Sequence, residues 1–162
     1  MARQFSSHFA FKRMDKIKMS LTNQLLFGSL VLGLCSLIHI WFLILTIQAF
    51  RRAANKKNDT ATDIRWGLML IFAFAIVLIA HTLQVWIWAA AFIALGALSV
   101  FDNALYFSLV TYTTLGYGDI TVADGFRTFA AMAAVTGLLN FGLSTAFLVG
   151  FFSKFIEKFL PE

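Results

Sequence analysis

The chain has 162 residues, of which 60% are hydrophobic and 13% charged, and its mean hydropathy is +0.80. That balance describes a membrane protein too small for more than one helical bundle, and it leaves no support for a soluble enzyme. The net charge of +5 sits in basic residues that flank the apolar runs, which points to membrane orientation and anionic lipid rather than nucleic acid.

Residues 1–23 form a basic N-terminal segment with Arg3, Lys12, Arg13, Lys16 and Lys18. Within it Ala10, Met14, Ile17 and Leu21 make a weak apolar stripe that suits a helix lying on a membrane surface. Residues 24–50 are read as a first transmembrane helix. Its apolar run, Leu25 to Phe50, holds no Asp, Glu, Lys or Arg. At 1.5 Å per residue it spans roughly 39 Å, enough for a tilted crossing of a ~30 Å hydrocarbon core. It is too long for the apolar region of a signal peptide, and no A-x-A site follows it, so no cleavable signal is expected. Cys35 is the single cysteine; no intrachain disulfide exists, and the residue reads as a small buried hydrophobe.

Residues 51–65 are a basic polar loop with Arg51, Arg52, Lys56, Lys57 and Arg65. A second apolar run begins at Trp66 and extends to Leu98. It is long for one crossing and short for two. The expectation is an outer helix over 66–100, crossing at about 66–91 and continuing as an apolar approach segment. Trp66, Trp86 and Trp88 fit interfacial belts. A short helix is expected over 102–113, with Asp102 or Asn103 as N-cap and its electronegative C-terminal end aimed inward. A last apolar run carries a third crossing over 127–153, ending near Lys154 and Lys158. The only proline is Pro161, so no proline kink bends a span.

Between the short helix and the last span stands Thr111-Tyr-Thr-Thr-Leu-Gly-Tyr-Gly-Asp119. A dehydrated cation needs a ring of oxygens in place of its water. Backbone carbonyls supply one only if successive carbonyls point the same way, whereas in an ordinary strand they alternate. Every second residue must then take mirror-image backbone angles, which glycine does without steric cost. Gly116 and Gly118 have that spacing, and the Thr114 hydroxyl adds an oxygen at the inner end. Four such segments around an axis make a stack of cation cages.

The segment resembles the selectivity filter of tetrameric potassium channels, and the resemblance extends over about 50 residues. Ala104-Leu-Tyr-Phe-Ser108 resembles that family's pore helix, and Gly137-Leu-Leu-Asn-Phe-Gly-Leu-Ser-Thr-Ala146 its inner helix. The resemblance implies a two-span pore domain over 66–155 with one extra N-terminal span. The fold class expected is therefore all-α: three transmembrane helices plus a re-entrant pore helix and filter (114–119), assembling with three identical subunits as a four-fold tetramer. It implies K⁺ coordination by Thr114, Leu115, Gly116 and Tyr117, with Gly118 and Asp119 at the outer mouth. Leu115 stands where the family usually has valine; its side chain points away from the ion, so selectivity is expected to survive.

Tyr106 and Phe107 are expected to form an aromatic cuff around Tyr117, at places where two-span relatives carry tryptophans. Thr111 is the expected partner of the Tyr117 hydroxyl, and Tyr106 that of Asp119. Val110 replaces a glutamate that those relatives pair with the outer aspartate, so inactivation carried by that carboxylate is expected to be absent. Gly137 and Gly142 match inner-helix glycines of the family, the first at the proposed gating hinge; close helix packing is an equal reading. Thr113, Asn140 and Ser144 are candidates to line a watery cavity, with interhelical hydrogen bonding the alternative for Asn140 and Ser144. His39, His81 and Gln84 lie inside apolar runs, where neutral, hydrogen-bonded side chains are the expected state. No span carries a ladder of arginines, so no voltage sensor of the usual type is expected.

The resulting expectation is passive, potassium-selective conduction through a cell-membrane channel without an organic cofactor. A weakly selective cation channel and a non-conducting accessory subunit are the alternatives. The outer mouth must face outside, which puts Arg51 to Lys57 in the cytoplasm and, if the first span fully crosses, residues 1–23 outside.

Overall fold

A computed structural model describes residues 19–54 and 62–159. The expectations for 1–18, including the apolar stripe from Ala10 to Ile17, and for the middle of the basic loop lie outside those residues. Four α-helices make up the fold: α1 (Leu21–Ala54), α2 (Thr62–Ala94), α3 (Phe101–Tyr112) and α4 (Arg127–Phe159). A 3-10 turn, Asp124–Phe126, leads into α4, and among the described residues there is no strand. Three of the helices, α1, α2 and α4, are long and apolar enough to cross a membrane. The protein is an all-α membrane protein with three spans and a short helix between the second and third.

The spans are packed in a definite order along their length. Near its start, α1 projects Gln24, whose Oε1 accepts the backbone N–H of Thr128 at 3.0 Å and of Phe129 at 3.3 Å. Those are first-turn donors of α4 that have no partner within their own helix. A Cβ on Gly28 would approach Met132 Cγ to 2.7 Å, so glycine there lets α1 lie close on α4. Farther along, His39 meets Ser144, and Phe50 packs edge-on against Phe151 with ring centroids 4.5 Å apart. The partners advance together, so α1 and α4 run parallel. α2 runs antiparallel to both, since Phe50 also packs on Trp66 at 5.0 Å while His39 packs on His81 at 4.8 Å.

Burial is concentrated where α2, α3 and α4 converge. Trp88, Phe92 and Phe129 are fully buried and stack within 5.2–5.8 Å of one another; Phe107 joins edge-on to Phe92 at 5.1 Å. Trp88 is thus a core residue and not part of an interfacial belt. Trp86, exposed and edge-on to Phe101 at 6.0 Å, keeps the belt position. Large apolar side chains such as Leu30, Leu37, Ile71 and Leu138 remain exposed along the spans, as surfaces facing lipid or another subunit must be.

Several expected boundaries change. The outer helix ends at Ala94 rather than running to residue 100. Gly96 takes φ 74°, and the N–H groups of Gly96 and Ala97 return to Ile93 and Phe92 at 2.9 Å; this left-handed turn closes the helix. The short helix starts at Phe101, with Val100 as an extended N-cap that makes no side-chain bond. Asp102 is therefore a first-turn residue whose charge favours the electropositive helix end, and neither it nor Asn103 is the cap. α4 opens at Arg127, as expected, and continues past residue 153 to Phe159.

Candidate ion pathway

The segment after α3 carries the geometry that the motif demands. Thr114, Gly116 and Gly118 have φ of 62°, 59° and 77°, so every second residue from 114 to 118 is left-handed. The glycines adopt this freely. Thr114 does not, and it is the only non-glycine with positive φ among the described residues. Such strain, of order 1–3 kcal/mol, persists only where surrounding structure holds it, and it concentrates at functional sites.

The N–H groups of this segment turn back into the helix. Thr114 N donates to the Thr111 carbonyl at 2.9 Å, and Leu115 N and Gly116 N donate to the Val110 carbonyl at 2.9 and 3.2 Å. The last turn of α3 thus consumes the inner donors of the segment. Residues 113–118 are all exposed in the single chain. An exposed run of backbone with this alternation is what a carbonyl-lined cation pathway needs. Thr113, a cavity candidate, is exposed, and its Oγ1 donates to the Leu109 carbonyl at 2.8 Å.

At the outer end the Tyr106 hydroxyl donates to Asp119 Oδ2 at 2.7 Å. This bond holds the Asp119 carboxyl below its ordinary range and the Tyr106 phenol above its own. The charged carboxylate and the neutral phenol are the bonded forms. The carboxylate's contribution is therefore present above the ordinary carboxylate range and is lost as pH falls through the lowered value. The phenol's is present below the ordinary phenol range and is lost as pH rises through the raised one. Tyr106→Phe should raise the Asp119 midpoint in a carboxyl-carbon NMR titration; an unmoved midpoint would refute the bond's role.

Phe107 is turned into the core against Phe92, and Val110 is buried. Tyr117 is exposed, and no Tyr117–Thr111 bond forms within the chain. A cavity of about 410 Å³ lies between α3 and the segment's exit, lined by Tyr106, Thr111, Gly118, Asp119, Val122 and Ala130 among others.

The remaining candidates divide. Gly137 lies against the end of α3, where a Cβ would overlap the Tyr112 carbonyl oxygen and lie 2.9 Å from its carbon. Close packing, rather than bending, accounts for this glycine, and α4 is helical across it. Gly142 has nothing within 4 Å of a Cβ position. Asn140 and Ser144, two of the cavity candidates, are 1% and 4% exposed. They are enclosed because both bond across helices: Asn140 Nδ2 donates to Gln84 Oε1 at 2.6 Å, and Ser144 lies within 2.9 Å of both His39 and His81. Tyr112, for which the sequence suggests no role, is fully buried at the centre of these contacts. Its position directly before the two threonines was the available signal. Among the described residues no cluster of His, Cys, Asp or Glu is arranged to hold a metal.

A short helix that ends in a segment of alternating left-handed backbone, between two membrane spans, has the arrangement that the pore element of an ion channel needs. The family model Ion_trans_2, described as ion channel, matches residues 29–154. The chain belongs to this ion-channel family, of the two-span potassium-channel kind. Searches of curated proteins and of solved structures returned no significant match.

Proposed function

We propose that this ion channel selects potassium, with four copies of residues 114–118 completing the cation cages. The carrying observation is the alternation of left-handed backbone at Thr114, Gly116 and Gly118. It favours a dehydrated cation held by carbonyls over a hydrated one passing a wide pore. One chain supplies a quarter of each cage, and closed rotational symmetry is the ordinary way to complete it. Thr114, Leu115, Gly116 and Tyr117 would offer the carbonyls, Thr114 its hydroxyl, and Asp119 a negative charge at the outer mouth. K⁺ is the transported substrate. Bilayer recordings of the purified chain under bi-ionic K⁺/Na⁺ should give a reversal potential displaced toward potassium, and native mass in detergent should give four chains. Equal permeabilities would favour a weakly selective cation channel, and absent conductance a non-conducting subunit.

The parallel packing of α1 and α4 supports an external N-terminus in the cell membrane. α1 starts beside Thr128, at the end where the segment exits toward α4. If that end is the outer mouth, Arg51 and Arg52 close α1 on the cytoplasmic side, in line with the excess of basic residues found there and with contact to anionic lipid. A cysteine at Ser6, in a Cys35→Ser background, should react with membrane-impermeant maleimide in intact cells. Labelling only after permeabilisation would reverse this topology.

A further inference from the structure

The polar residues of the spans that conduction does not use converge at one place. His39 comes from α1, His81 and Gln84 from α2, Tyr112 from the end of α3, and Asn140 and Ser144 from α4. None is more than 9% exposed. Gln84 Nε2 lies 2.9 Å from His39 Nδ1, and His39 Nε2 lies 2.8 Å from Ser144 Oγ. Ser144 Oγ lies 2.9 Å from His81 Nε2, and His81 Nδ1 is 2.9 Å from the Tyr112 hydroxyl. That hydroxyl donates to Gln84 Oε1 at 2.8 Å. Five side chains from four helices close a ring.

The donor inventory fixes the direction of each bond. An amide nitrogen only donates, so His39 Nδ1 accepts from Gln84. A neutral imidazole carries one N–H, so His39 Nε2 donates to Ser144. The Tyr112 proton goes to Gln84, so the Tyr112 oxygen accepts from His81 Nδ1–H. His81 Nε2 is then an acceptor, and it faces the Ser144 O–H. Each member donates once and accepts once around the ring. Asn140 adds a second donor to Gln84 Oε1, and its backbone carbonyl, 2.8 Å from Ser144 Oγ, accepts the same serine proton that faces His81 Nε2. No Asp or Glu occurs at 21–54, 64–100 or 125–156, so an imidazolium here would lack a counter-charge and the neutral rings are favoured.

We propose that this ring makes Tyr112 a positioning residue for the filter and, through His39, recruits the N-terminal helix into the pore's working parts. The inference rests on the potassium-selective reading above. Tyr112 ends α3, its carbonyl is seated on Gly137, and it stands two residues before Thr114. Its hydroxyl is held by α2 directly and by α1 and α4 through the ring. Opening any link leaves buried donors or acceptors unpaired, and the end of α3 is free to shift beneath the filter.

Tyr112→Phe removes one oxygen and keeps the aromatic ring. It should lower the potassium-over-sodium permeability ratio about tenfold, the scale of one buried polar group left unpaired, with the tetramer still assembled. His39→Ala should do the same. His39→Gln should recover most of the loss, because its amide nitrogen can still donate to Ser144. Nitrogen-15 spectra of histidine-labelled wild-type protein should show His39 protonated at Nε2 and His81 at Nδ1, each fixed. Assembled Tyr112→Phe and His39→Ala channels with unaltered selectivity overturn the inference while a selective wild type stands. A wild type without potassium preference defeats the selectivity reading, and this inference with it. If the variants fail to assemble, the nitrogen spectra decide: opposite fixed tautomers support the ring, and averaged, interconverting ones overturn it.

Discussion

On the proposed potassium-selective reading, Gly116→Ala should abolish selective conduction while leaving the proposed tetramer assembled. No atom lies within 4 Å of a Cβ placed on Gly116, so the obstacle is not space. It is the backbone angle: φ is 59°, where an L side chain crowds the following carbonyl at about 1–2 kcal/mol per residue. The Gly116 N–H reaches the Val110 carbonyl at 3.2 Å, the longest of the returns to α3 and the easiest to release. An alanine therefore favours relaxation toward right-handed angles, which turns one carbonyl of each chain away from the axis. In a four-fold assembly the cost and the lost oxygen are repeated four times in one ring. Thr114 shows that a residue with a Cβ can hold such an angle, but its hydroxyl is itself a candidate ligand there, and a methyl group brings no oxygen. Leu115→Val is the control. Residue 115 has no positive φ, its side chain is exposed in the chain, and selectivity should survive the change. Bi-ionic reversal potentials for both variants in bilayers test the claim; selective potassium currents through the Gly116→Ala channel would end it.

What the sequence disclosed about residues 114–118 follows from the same physics. Glycine at every second place is a backbone instruction, so the spacing of Gly116 and Gly118 could be read directly. Thr114 joins that alternation without any such sign, because a threonine at φ 62° is held by its neighbours and not by its own preference. Gly96 carries the same kind of signal, masked by the apolar run around it; in the structure it ends the outer helix six residues early. The three spans were legible from length and apolar composition. Which faces meet was not, because an apolar helix in a membrane presents hydrophobic residues all round and its periodicity names no partner. That is why Trp88 reads as a belt residue yet lies in the core. It is also why Asn140 and Ser144 read equally as cavity-lining or as bonding between helices; in the structure Ser144 closes a polar ring with His39, His81, Gln84 and Tyr112, and Asn140 bonds to it through Gln84. Neutral hydrogen-bonded histidines could be expected from their place inside apolar runs. That both rings serve one network, tied to the end of α3, follows only from how the helices pack.

Gly137→Ala should destabilise the folded channel more than alanine at either other glycine of α4, Gly142 or Gly150. The position is helical, so glycine there costs about 1 kcal/mol against alanine from propensity alone. Packing reverses that preference. The new Cβ would overlap the Tyr112 carbonyl oxygen, a backbone atom at the end of α3 that cannot rotate aside as a side chain can. Either α4 withdraws from α3 or Tyr112 moves. Withdrawal opens the contact between the two helices, and movement breaks the bonds that the Tyr112 hydroxyl makes to His81 and Gln84. Overpacking of this kind costs about 1–3 kcal/mol per chain, with backbone obstacles at the upper end. Gly142→Ala is the matched comparison, being on the same helix with open space around its Cβ position. It should leave stability within the chain unchanged or slightly raised by propensity. A hinge role for Gly137 makes the opposite forecast: alanine would stiffen α4 and alter opening while thermal stability held or rose. Thermal transitions of the two purified variants in detergent, followed by loss of the assembled species, separate these outcomes. A Gly137→Ala protein that melts with, or above, Gly142→Ala would refute the packing account.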